Sequence, residues 1–163
     1  MKFAVSLPIA VLMLSACSGE PAEEAATQST ACADEGVSVS GAWMRAARVG
    51  QPTSAAYLTL CNGSSIDDAL VGVTFAGADA AELHVTNMDA DGMASMTPSK
   101  SIPVPAGETA RLEPGGAHVM LIGMQEAFAP GDKPTVTLEF ESAPPATVEL
   151  EVRDEAHDGG AHH

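Results

Sequence analysis

Positive charge is scarce in this chain of 163 residues: 7 Lys and Arg stand against 22 Asp and Glu, a formal charge of −15. Such a surface repels phosphate backbones and anionic headgroups alike, which excludes nucleic acid as a partner. Aromatics are as sparse, with one Trp, one Tyr and four Phe, too few to line a large aromatic ligand pocket. The apolar run at the N-terminus, Phe3 to Leu14, falls short of the roughly 20 residues that a membrane-spanning helix needs. No Ser-His-Asp or Cys-His arrangement, no HExxH and no acidic pair on a histidine-bearing strand is legible, so the chain is not read as an enzyme. Trp43 and Tyr57 are assigned to the core. What remains is enough apolar sequence for one compact domain, and any chemistry belongs to a small site.

The N-terminal 16 residues carry Lys2, the apolar run and then small residues, the layout of a secretory signal. Leu14-Ser15-Ala16-Cys17 resembles the lipobox of bacterial lipoproteins, in which cleavage leaves Cys17 as an acylated N-terminus. Residues 17–31 are rich in Ser, Glu, Ala and Thr without apolar periodicity and read as a flexible tether. That predicts a protein of the bacterial cell envelope, facing the periplasm and held to a membrane by lipid. With Cys17 acylated, Cys32 and Cys61 are an even pair in an oxidising compartment and are expected to form a disulfide.

Residues 32–153 form the expected domain. Alternation at period two, interrupted every eight to twelve residues by turn signals, predicts an all-β sandwich or barrel of about eight strands. The strands fall near Val37–Arg45, Ala55–Cys61, Ala69–Phe75, Ala81–Met88, Thr109–Leu112 and Ala117–Met124, with two more around Val136–Phe140 and Val148–Val152. Residues 154–163 are polar and Gly-containing, with three of the five histidines. They read as a tail in which His157, His162 and His163 offer auxiliary metal capture.

The other two histidines, His84 and His118, lie on predicted strands beside methionines. His118 and Met120 are two apart, so imidazole and thioether project to the same side of a strand. A three-residue turn at Ala90-Asp91-Gly92 would pair Thr86 with Met96 and bring Met96 diagonally next to His84. Turns of two or four residues would separate them, leaving Met93 or Met88 as the replacement ligand. Two imidazoles and two thioethers make a soft, uncharged donor set suited to Cu(I), and without a nearby thiolate it is no blue-copper centre. The imidazoles must be neutral to bind, so acid weakens the site.

The spacing is that of a known family. His84, ten residues after Val85 to Met96, and twenty-one more to His118-Val119-Met120 resembles the pattern of the periplasmic copper chaperones called PCu(A)C. Ala81-Glu82-Leu83-His84, Leu112-Glu113-Pro114-Gly115-Gly116 and Ala55-Ala56-Tyr57-Leu58 are similar to the family as well. Val85 stands where the family has an optional Met. The resemblance implies a cupredoxin-like Greek-key fold, one Cu(I) held by His84, Met96, His118 and Met120, and delivery to assembly of the CuA centre of cytochrome c oxidase. The recipient would be an oxidase subunit or an assembly thiol protein. Two other readings stay open at this point: an envelope copper-scavenging or storage lipoprotein that uses the His-rich tail, and a structural β-sandwich that binds no metal.

Overall fold

The computed structural model describes residues 32, 36–88 and 92–154. Cys17, the signal and tether residues, and His157, His162 and His163 lie outside the described residues. Eleven strands form two sheets, and the described residues include no helix. The larger sheet contains β1 (Val37–Arg45), β2 (Thr53–Asn62), β4 (Ala78–Met88), β5 (Ala94–Pro98), β7 (Thr109–Leu112), β8 (Ala117–Met124) and β11 (Glu151–Arg153). Its order is β11-β1-β2-β7-β8-β4-β5. The smaller sheet contains β3 (Asp68–Thr74), β6 (Ile102–Val104), β9 (Thr135–Phe140) and β10 (Ala146–Glu149) in the order β10-β9-β3-β6.

The all-β sandwich expected from period two is present, with more strands than eight. Ile102–Val104 is too short to show alternation, yet it pairs with β3 through Leu70↔Ile102 and Asp68↔Val104. The run from Thr147 to Arg153 reads as one strand but serves both sheets: Val148 pairs with Val136 on β9, whereas Val152 pairs with Met44 on β1. Leu150, fully buried, sits between the two segments and donates its amide to the Pro134 carbonyl at 2.8 Å.

The two sheets enclose a core of Met44, Leu58, Leu60, Val119 and Leu121 from one side and Leu70, Val104, Val136 and Leu138 from the other. Trp43 and Tyr57 are buried, as the sequence reading expected, although they lie outside the cluster enclosed between the sheets. Tyr57 alternates with Ala56 and Leu58, which face inward, and a bulge between Ser40 and Trp43 sets the side that Trp43 takes. Gly41 takes a φ of +59° there, which glycine adopts without a Cβ clash. The extra residue reverses the alternation begun at Val37 and Val39, so Met44 turns inward and Trp43 outward.

Two further devices stabilise the scaffold. Cys32 and Cys61 are joined by a disulfide, with Cα atoms 5.2 Å apart, which ties the segment before β1 to the end of β2. Asp68, at the start of β3, accepts from the amides of Ala69, Ser142 and Ala143 at 2.8 to 2.9 Å and so fixes the chain leaving β9.

Candidate metal centre

On β8, Val119 and Leu121 enter the core, so His118 and Met120 take the opposite face of the large sheet. On β4, Leu83 packs inward and His84 outward by the same alternation. These strands are antiparallel neighbours in a register that sets His84 directly across from His118 and Glu82 across from Met120. The two imidazole centroids are 5.9 Å apart. Both rings are sheltered, His84 at 7% and His118 at 6% exposure.

Met96 arrives on the next strand. Gly92 has a φ of +79°, in the left-handed region that glycine adopts freely, and the ladder pairs Met88 with Ala94, Thr86 with Met96 and His84 with Pro98. Met96 therefore shares the outer face with His84, one strand over and diagonally placed. It is 59% exposed. Met96, His118 and Met120 line one open cleft of about 1030 Å³, together with Tyr57, Thr86 and Gly115. His84 lies beside it against His118. Met88 and Met93 are also exposed, and neither borders the cleft.

Hydrogen bonds orient both rings. The turn Pro114-Gly115-Gly116 is closed by the Gly116 amide donating to the Glu113 carbonyl at 3.0 Å, with Gly115 at a φ of +80°. The Gly116 carbonyl then accepts from Nδ1 of His118 at 3.1 Å and from the Thr86 amide at 3.2 Å. A carbonyl only accepts, so Nδ1 carries the proton and Nε2 keeps its lone pair. His84 Nε2 lies 3.1 Å from Oε2 of Glu82. Its Nδ1 is buried with no hydrogen-bond partner.

Sequence reasoning gave no role to Glu82 and assigned Tyr57 to the core alone. Glu82 was within reach, since it stands two residues before His84 and period two puts both on one face. Tyr57 packs on His118 with centroids 6.4 Å apart, and Trp43 on Tyr57 at 4.5 Å, so a row of rings crosses the outer face to the candidate site. Arg45 lies 5.6 Å over the Tyr57 ring and Arg153 lies 5.2 Å over Trp43, distances at which a guanidinium is attracted to a ring face. This row depends on pairings distant in sequence, which no local pattern signals.

Chemically, the donors fit a soft monovalent ion. Among the described residues no group of three His, Cys, Asp or Glu side chains is arranged to hold a metal. Two nitrogen lone pairs and two thioethers remain, a set that favours Cu(I).

The sandwich with this outer-face cleft is the fold of PCuAC domains. It is similar to the copper-bound PCuAC domain from PmoF2, with a TM-score of 0.62, 24% identity, and coverage of 76% of this chain and 97% of that one. It is also similar to the Cu(I) form of DR1885 from Deinococcus radiodurans, with a TM-score of 0.53, 26% identity, and coverage of 79% and 84%. The chain belongs to the family described as "Putative lipoprotein LpqE-like", whose model matches residues 37–152. A relative from Leifsonia xyli subsp. xyli, named "Putative lipoprotein Lxx21020", is 37% identical over 121 residues, which are 74% of this chain and 71% of the relative.

Proposed function

We propose that this protein is a copper chaperone of the cell envelope that carries one Cu(I) on His84, Met96, His118 and Met120. The observation that carries the reading is the register of β4 on β8, which places His84 across from His118 while Met96 and Met120 approach the same outer face. Uncharged donors at the edge of an open cleft suit a protein that must hold the ion and then release it. Thioethers bind monovalent copper without losing a proton. The solved PCuAC domains with bound copper support the cargo, and the names of the family and of its relative support lipid attachment, here at Cys17 with residues 17–31 as tether. The recipient is a copper-accepting protein such as the CuA-bearing oxidase subunit or a thiol assembly factor, and His157, His162 and His163 serve as auxiliary collectors.

An anaerobic Cu(I) competition titration against a chromophoric chelator tests this. One tight equivalent, retained when the chain after Arg153 is removed and lost in His118→Ala, is the expected result. Tight binding that disappears with the tail and survives His118→Ala would transfer the function to scavenging by the terminal histidines.

A further inference from the structure

His84 and His118 stand at one register yet offer different ring nitrogens. His118 donates from Nδ1 to the Gly116 carbonyl, so its free lone pair is on Nε2. At His84 the order is reversed. A carboxylate oxygen accepts, so in the neutral ring the 3.1 Å contact between Nε2 and Oε2 of Glu82 places the proton on Nε2. The lone pair is then on Nδ1, which is buried and has no hydrogen-bond partner. Buried polar atoms are nearly always paired, the His118 ring stands 5.9 Å away centroid to centroid, and a cation held between the two rings would give Nδ1 its partner.

The geometry points to Glu82 as a positioning residue for the cargo: its carboxylate holds His84 in the Nε2–H tautomer and commits Nδ1 to the metal, while His118 binds through Nε2. This rests on the reading that the two histidines hold Cu(I). Glu82 is suited to the role because it faces Met120 across the β4–β8 ladder with its side chain 48% exposed. It can therefore orient the ring without belonging to the inner core. A carboxylate behind a ligating imidazole fixes the ring and raises its basicity, and loss of such a partner costs ten- to a hundredfold in metal affinity. The carboxylate also balances the single positive charge that an uncharged donor set leaves uncompensated.

The test is long-range proton–nitrogen correlation NMR on the 15N-labelled full chain, metal-free and loaded with Ag(I), a diamagnetic stand-in for Cu(I). Loading is expected to move the Nδ1 resonance of His84 and the Nε2 resonance of His118. Glu82→Ala should mix the two His84 tautomers and weaken Ag(I) binding about tenfold. Glu82→Gln, whose amide oxygen still accepts from Nε2–H, should restore both. A loading shift at Nε2 of His84, or a Glu82→Ala variant with unaltered tautomer and affinity, overturns the assignment while leaving the copper site standing. If Ag(I) perturbs neither histidine, the site itself is wrong and this inference falls with it.

Discussion

Met120 separates chemistry from packing better than any other residue of the candidate site. Its side chain lines the cleft, whereas its neighbours Val119 and Leu121 carry the core contacts of β8. Exchange for Leu roughly conserves apolar volume and removes only the sulfur. Met120→Leu is expected to lower Cu(I) affinity by more than about tenfold, a loss above roughly 1.4 kcal/mol, with an unchanged melting temperature for the metal-free protein. Chelator competition and differential scanning calorimetry check the two halves. The contrasting core residue is Leu138, fully buried between the sheets. Leu138→Ala should cost about 2–5 kcal/mol in urea denaturation, and the metal stoichiometry of the folded fraction should stay as it was.

The β4–β5 hairpin governs whether Met96 reaches the site at all. Its turn needs a positive φ at Gly92, and a β-branched residue is strained in that conformation by about 1–2 kcal/mol. Gly92→Val should relieve the strain by changing the turn, and a register slip of one residue would send Met96 to the other face. The expected outcome is a fall in Cu(I) affinity comparable to that of Met96→Leu, together with faster amide hydrogen exchange in β4 and β5 and little change elsewhere. Normal exchange and affinity would show that the hairpin tolerates another turn. The hairpin arithmetic was legible in the sequence because a turn and its flanking pairs are local. Ile102–Val104 was not, since three residues show no period and the strand is defined by its partner β3.

Across the whole molecule, acid acts on Asp68, which joins the entrance of β3 to the chain leaving β9. Desolvation by burial pushes its carboxyl pKa up, but backbone hydrogen bonds from Ser142, Ala69, Ala143 and Glu141 outweigh it and hold the value below the ordinary 3.8. A carboxylate with a depressed folded pKa contributes stability that is fully present above 3.8 and is lost as pH falls through the folded value. Urea midpoints measured between neutral pH and acid should therefore fall more steeply below 3.8 in the wild type than in Asp68→Asn, which cannot titrate. Parallel curves would remove Asp68 from the acid response. Reduction of the Cys32–Cys61 bond, which closes a loop of 29 residues, should lower stability by about 3.5 kcal/mol through loop-closure entropy, measured by urea denaturation with and without a thiol reductant.

Features under short-range control were legible in the residues alone. Period two marked the sandwich, the i, i+2 spacing aligned His118 with Met120, and turn length brought Met96 to the face of His84. That His84 lies across from His118 emerges only in the folded sheet, because this register pairs residues 34 apart in sequence. The same holds for the bulge at Gly41 that puts Trp43 on the outer face of the large sheet, and for Leu150, where one run of alternation passes between sheets. The choice of ring nitrogen on His84 belongs with these. Its carboxylate partner is local, two residues away on the same strand, but the burial that leaves Nδ1 unpaired exists only once the sheets have closed, since side-chain period follows from the backbone whereas burial and register depend on which distant groups come into contact.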